Sequence, residues 1–241
     1  FEPDVAAEAA RVASGHAAGD AVVLHKLHKQ YGREKVALHE LSLGIAKGEC
    51  FGYLGINGAG KSTTLQILHG ALAPSSGAVA VNGHALPAGL RQARAATGYC
   101  PQFDALHDLL TVEEELELYA RLKGVVNVAG AVEAKLAQFG LQPFRAKRTQ
   151  GLSGGNKRKV STAIALLGDP ALLLLDEPST GMDPAARRAM WDVIVGVLSE
   201  KRCAVVLTTH SMEECQALCT RIGILVSGQL KCLGSAQHLK H

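Results

Sequence analysis

A chain of 241 residues that is 47% hydrophobic and 20% charged carries enough apolar side chain for a sizeable core, which excludes a disordered protein. Its net charge of +3 excludes a basic nucleic-acid-coating protein, and the runs Lys157-Arg158-Lys159 and Arg145, Lys147, Arg148 read as solvated faces. No apolar run reaches the roughly 18 residues of a membrane span, because Asp169 and Pro170 interrupt the longest one.

The first residue is Phe1, no signal peptide is evident, and the chain stops at Leu239-Lys240-His241 without a tail. The expectation is a piece of a longer chain that does not itself cross the membrane. Residues 1–20 are alanine-rich and read as a short helix or linker before a domain spanning 21–241. AVVLHKL (21–27), KVALHELSLGI (35–45), ECFGYLG (49–55) and GAVAVNG (77–83) follow as strand-like runs, and their succession suggests an antiparallel sheet near the start.

From Lys61 onward helical and strand patterns alternate. ALLLL (171–175), CAVVLTT (203–209) and RIGILV (221–226) are short continuous apolar runs, the pattern of strands buried on both faces of a parallel sheet. Residues 111–150 are helical without strands, which predicts a helical lobe inserted over about 103–160. The six cysteines lack the dense spacing of a disulfide scaffold and fit reduced thiols. Cys215 and Cys219 stand one helical turn apart with His210 upstream, so a metal site competes there with buried free thiols.

The chemistry begins at GINGAGKS (55–62), which lies between a strand-like and a helical segment. It fits a phosphate loop in the required strand, loop, helix order. Gly55, Gly58 and Gly60 let the backbone curl, with Asn57 and Ala59 between them, so that N–H groups converge on phosphate at a helix start. Lys61 would neutralise the β- and γ-phosphates, and Ser62, followed by Thr63, would offer its hydroxyl to Mg²⁺. In LLLLDEP (172–178), Asp176 and Glu177 leave the carboxyl end of a buried strand. Asp176 is expected to hold Mg²⁺ and Glu177 to polarise an attacking water.

His210 ends another buried strand on the same edge and is placed to hydrogen-bond the phosphate or that water. Gln102, in GYCPQFD, precedes the lobe; its amide suits Mg²⁺ or water, and a plain polar loop residue is the competing reading. Tyr31, in HKQYG, suits stacking on adenine, against the alternative of a core tyrosine. GLSGGNKRK (151–159) sets paired glycines at a helix start, where Ser153 alone would serve as the cap and the glycines would only cost stability.

The phosphate loop, Gln102, GLSGGNKRK, LLLLDEP, STGMD and His210, in this order, resemble the nucleotide-binding domain of an ABC transporter, and the resemblance runs from about residue 21 to the end. More narrowly, GECFGYLGINGAGKST, EPSTGMDP, HSMEEC and CLGSAQHLK resemble the eukaryotic A subfamily, more so its second nucleotide-binding half. The resemblance implies an α/β phosphate-loop ATPase with a parallel sheet, an N-terminal antiparallel β subdomain and a helical lobe. It also implies ATP and Mg²⁺ as ligands and a place on the cytoplasmic face of a membrane.

Partner transmembrane domains would be contacted through the lobe and Gln102, and lipid or sterol transport is the expected work. Two domains would close head to tail, so that Ser153, Gly154 and Gly155 of one face the ATP of the other, with Asp183 along the same seam. Asn156 stands where that family commonly has glutamine, and AKRTQG (146–151) lacks the acidic, glycine-rich stretch of multidrug-type exporters. A soluble ABC protein acting on nucleic acid or ribosomes is disfavoured by the near-neutral charge. A GTPase is disfavoured because no Asn-Lys-x-Asp guanine reader is present.

Overall fold

A computed structural model describes residues 2–32, 35–200 and 203–240. The alanine-rich start coils into α1 (Glu2–Ala13) and is followed by the long strands β1 (Val22–Tyr31) and β2 (Lys35–Ile45). Next come β3 (Cys50–Leu54), α2 (Lys61–Leu68), β4 (Ser76–Val81), β5 (His84–Leu86), α3 (Leu90–Ala95) and β6 (Thr97–Cys100). The strandless stretch contributes α4 (Val112–Leu122), α5 (Val128–Gln138) and α6 (Gly154–Ala165). The chain then alternates through β7 (Leu172–Asp176), α7 (Pro184–Ser199), β8 (Ala204–Thr209), α8 (Met212–Leu218), β9 (Arg221–Val226) and β10 (Gln229–Gly234).

These strands make two sheets. The antiparallel one has the order β2-β1-β4-β5 and the larger one β10-β9-β3-β8-β7-β6, parallel except at the β10–β9 edge. The α/β class with an antiparallel subdomain is as expected, with one correction. ECFGYLG does not join the antiparallel runs: β3 sits inside the parallel sheet between β9 and β8. The reason lies in its burial, since Cys50, Phe51 and Tyr53 are all fully buried and leave no solvent-facing side. β5 and β10, short edge strands with weak apolar patterns, were not foreseen.

Side-chain alternation divides the interior. Leu172 and Leu174 of β7, with Ala204 and Val206 of β8, face the core shared with the antiparallel sheet and α2. Leu173, Leu175, Val205 and Leu207 face the second core, with the lobe and α7. Within the lobe, α4 starts on a capping box in which Thr111 and Glu114 exchange hydrogen bonds. Its Val112, Leu116 and Ala120 face Val132 and Leu136 of α5. Lys123 ties α4 to the end of α6 by donating to the Ile164, Ala165 and Leu167 carbonyls; burial, and the neighbouring Lys135, bring its pKa down to about 8.

α1 packs on β1, β2 and β10. Its Glu8 accepts two hydrogen bonds from Arg11 and one from Gly44 N–H, while Arg11 also reaches Asp20 and Arg221 approaches Glu8 at 3.6 Å.

Register fixes where the site must be. Leu54 pairs with Thr209, Asp176 with Thr208 and Cys100 with Leu175, so four parallel strands end at one edge. The loops carrying Gly55–Gly60, Pro101–Gln102, Glu177 and His210 all leave from that edge.

Candidate functional site

The loop between β3 and α2 curls because its glycines accept what side chains cannot. At Gly60, φ is +105°, and a Cβ there would lie 2.6 Å from the Ala37 carbonyl oxygen. At Gly55 a Cβ would meet Leu225 O at 2.5 Å. Ala59 N–H donates to Ile56 O, and Gly228 N–H donates back to Ala59 O, which pins the loop to the β9–β10 turn. Lys61, buried at the first turn of α2, donates from Nζ to Gly55 O at 2.7 Å and Ile56 O at 3.1 Å, and lies 3.9 Å from Glu177 Oε1.

Across the sheet edge, Asp176 and Glu177 are buried and tied into this cluster. Asp176 Oδ1 accepts from Ser62 Oγ at 3.1 Å and from Thr208 Oγ1 at 2.5 Å. Glu177 Oε2 accepts from Thr180 Oγ1 at 3.0 Å, and His210 Nδ1 lies 3.4 Å from the same oxygen, while Oε1 faces Lys61. Glu177 has φ +48°, a left-handed conformation uncommon for a residue with a side chain. Its N–H donates to both Thr208 O and Thr208 Oγ1.

A cleft of about 310 Å³ opens above these groups, lined by Tyr31, Asn57, Gly58, Gly60, Lys61, Ser62, Thr63, Gln102 and Glu177. Tyr31 is half-exposed at its mouth, with its hydroxyl 3.4 Å from Thr63 Oγ1 and Lys29 over its ring, so it is not a core tyrosine. Gln102 is exposed toward the cleft. The sequence-predicted residues of the phosphate loop, the two carboxylates, His210, Gln102 and Tyr31 are therefore brought together. Ser62 and Asp176 in hydrogen-bond contact, with the Gln102 amide on the same cleft, form a hard-oxygen donor set of the kind Mg²⁺ takes alongside substrate phosphates.

Ser153, Gly154, Gly155 and Asp183 do not line that cleft. Ser153 caps α6 by accepting from Asn156 N–H at 3.4 Å, and Asp183 caps α7 by accepting from Ala185 and Ala186 N–H. The Ala186 and Ala185 hydrogen bonds hold the Asp183 carboxyl below its ordinary range. The two helix starts are neighbours, since a Cβ at Gly155 would come within 4.0 Å of Ala186 Cβ, and a Cβ at Gly154 would meet nothing. Packing within this chain does not require glycine at 154 or 155.

The solvated reading of Lys157-Arg158-Lys159 is corrected at its centre. Arg158 is 3% exposed because the α6 face that carries it packs on the loops after β6 and β7, where carbonyl oxygens need donors. Thr208 and Thr180 were also missed; the signal available was a pair of threonines ending the buried run CAVVLTT beside His210. Lys35, at the start of β2, lines the cleft too. Of the cysteines, buried Cys215 and half-buried Cys219 pack against Gly52 of β3. The hydrogen bond with Cys219, and burial, push the Cys215 thiol well up, whereas for Cys219 the Cys215 hydrogen bond lowers and is outweighed by the Cys50 hydrogen bond and burial, which hold that thiol up as well. No metal-binding group of three or more His, Cys, Asp or Glu exists among the described residues, and no helix there is long and apolar enough to cross a membrane.

The model of the family described as ABC transporter matches residues 38–180. The chain belongs to the ABC transporter family. Mouse ATP-binding cassette sub-family A member 7 is 51% identical over 242 residues, covering 99% of this chain and 11% of that protein. Bovine retinal-specific phospholipid-transporting ATPase ABCA4 is 50% identical over 242 residues, again with 99% of this chain and 11% of that protein covered. The ABC cassette described here thus spans about a tenth of these relatives.

Among solved structures, cbiO1 from Clostridium perfringens, part of the ABC transporter complex cbiONQ, aligns with a TM-score of 0.81 at 25% identity over 92% of this chain and 91% of that one. The ATP-binding cassette MJ0796, solved as a post-hydrolysis dimer bound to ADP and Pi, aligns at 0.82 with 26% identity over 89% of this chain and 98% of that one. The ABC cassette is an α/β phosphate-loop ATPase domain.

Proposed function

We propose that this cassette binds ATP with Mg²⁺ in the cleft above Lys61 and hydrolyses it against a second nucleotide-binding domain, driving movement of a lipid or sterol through transmembrane partners. The observation that carries this reading is the division of the motif residues. One set, Gly55 to Thr63 with Asp176, Glu177, His210, Gln102 and Tyr31, gathers around one cleft, while Ser153, Gly154, Gly155 and Asp183 lie outside it on paired helix starts. A phosphate-facing helix start with open space above its glycines suits a ligand held by another domain.

In this mechanism Tyr31 stacks on the base, and Lys61 leaves the Gly55 and Ile56 carbonyls to neutralise the terminal phosphates. Ser62, Asp176 and Gln102 hold Mg²⁺, directly or through water; when bound, the ion supplies neutralisation of phosphate charge. Glu177 accepts the proton of the attacking water, or orients it, and His210, next to Glu177, donates to the γ-phosphate or that water. The Ser153 helix start of the partner domain completes the phosphate's surroundings. Similarity to a protein named as a phospholipid-transporting ATPase supports the lipid assignment, and a position on the cytoplasmic face of a membrane is part of the same proposal.

Glu177→Gln tests the chemistry. It keeps the side-chain shape and removes the base, so hydrolysis should fall by roughly 10²–10⁴-fold while equilibrium ATP binding stays intact. Turnover within a few-fold of the parent would remove Glu177 from its role.

A further inference from the structure

Arg158 reaches the loops after β6 and β7 with all three of its guanidinium nitrogens. Its Nε donates to Pro178 O at 3.1 Å. Nη1 donates to Pro101 O, to Gln102 O at 3.3 Å and to Asp104 Oδ1 at 3.3 Å. Nη2 donates to the carbonyls of Asp176 and of Glu177, the latter at 3.1 Å. Among the described residues Asp104 is the carboxylate it pairs with, and it is held in turn by Ser161 Oγ, a turn further along α6, at 2.9 Å. One planar fork therefore spans the loop of Gln102 and both peptide groups flanking Glu177, from the helix that Ser153 opens.

We propose that Arg158 is a positioning residue that sets the Glu177 carboxylate and links it to α6, the helix that Ser153 opens. This rests on the reading of Glu177 as the group that handles the attacking water. Two features argue for a role beyond packing. Glu177 holds a left-handed backbone, φ +48°, which persists only where the surroundings over-determine it. Thr208 fixes the N–H side of that residue and Arg158 fixes the carbonyl side.

A buried guanidinium with a single carboxylate partner among the described residues is also an inefficient way to stabilise a fold, since apolar packing of similar volume generally does as well. Lysine, a flexible point charge, cannot reproduce a planar fork reaching five carbonyls. Any tilt of α6, whose first residues face the proposed partner ATP, is carried through Arg158 to Glu177 and to the Gln102 loop.

The test uses the protein carrying this cassette at its full natural length, as the parent, Arg158→Lys, Glu177→Gln and the double variant. ATP affinity, kcat, KM and thermal midpoint are read for each. Arg158→Lys should lower kcat by roughly 10–100-fold, the size of effect that a misplacement of about 1 Å produces, with ATP affinity and KM within about threefold, since Lys61 and its loop bind ATP without it. The double variant should be no slower than Glu177→Gln alone, because Arg158 acts through that carboxylate.

Additive losses, or a raised KM with kcat unchanged, overturn the proposal. If Glu177→Gln alone keeps parental turnover, the underlying reading of Glu177 fails instead, and the two failures are distinct. Should Arg158→Lys not fold, Asp104→Asn, which weakens the fork's charged anchor, carries the same expectation: lower kcat, unchanged affinity and no further loss on Glu177→Gln. Parental kcat in Asp104→Asn would then count against it.

Discussion

Replacing Ser153 by glutamate separates a site shared between two domains from a site contained in one chain. Within this chain the change is mild. Ser153 is exposed and accepts one long hydrogen bond, 3.4 Å from Asn156 N. Losing that cap costs about 1 kcal/mol, and a carboxylate at a helix N-terminus returns about 0.3–1 kcal/mol. ATP affinity, which depends on Lys61 and its loop, should stay within about threefold of the parent, a shift of under 1 kcal/mol.

Across a head-to-tail interface the added charge meets the partner's γ-phosphate. At about 4 Å and an effective dielectric constant near 20, like charges repel by about 4 kcal/mol, and hydrolysis should fall by roughly 10³-fold. The assay pairs equilibrium ATP binding with steady-state phosphate release in the full-length protein, with a melting curve as the check on folding. Affinity lost in step with activity would mean that Ser153 serves its own chain's nucleotide. Unchanged hydrolysis would mean that it faces no phosphate at all.

Lys61→Ala removes a cation now donating to Gly55 O and Ile56 O, and should weaken ATP binding by one or two charge-assisted hydrogen bonds of about 1.5–3 kcal/mol each; calorimetry returning an unchanged affinity would refute the anchor role. Glu8 gives the fold an acid limit. Burial opposes its ionisation, but the Arg11 and Gly44 hydrogen bonds and Arg221 outweigh this and hold its carboxyl below the ordinary 4.5. A lowered folded-state value means the unfolded chain binds the proton first as pH falls, so this stabilisation is complete above about pH 4.5 and is lost below it. Glu8→Gln leaves Arg11 paired with Asp20 and Arg221 with Glu49, so it should lose about 1.5–3 kcal/mol at neutral pH, the size of one hydrogen bond to a charged group, and show a flatter loss of stability below pH 4.5 in urea titrations.

Local sequence was enough for whatever depends on neighbours in the chain. The phosphate loop is legible as glycines, a lysine and a serine at fixed spacing within eight residues, and Asp176 and Glu177 stand at the end of a strand whose unbroken apolar run already declares burial on both faces. The same rule misplaced β3, because its neighbours in sequence are antiparallel strands while its neighbours in space are β8 and β9, over 150 residues away. Short edge strands such as β5 and β10 have little apolar pattern to read, since one side of each stays wet.

What only the tertiary structure decided is where the donors in the middle of the chain are directed. Lys157, Arg158 and Lys159 look alike in sequence as three successive cations, yet the helix turns Arg158 alone into the interior, against carbonyls supplied by loops roughly 20 and 57 residues away. Thr208 is likewise one of two adjacent threonines, and only the parallel register of β7 and β8 sets its hydroxyl against Asp176. On the proposed reading the motif residues meet the ligand, so their chemistry constrains their type and spacing along the chain. The residues that hold them in place are chosen by contact across the fold, and a periodicity of 3.6 or 2 identifies the buried face without naming which loop will press against it.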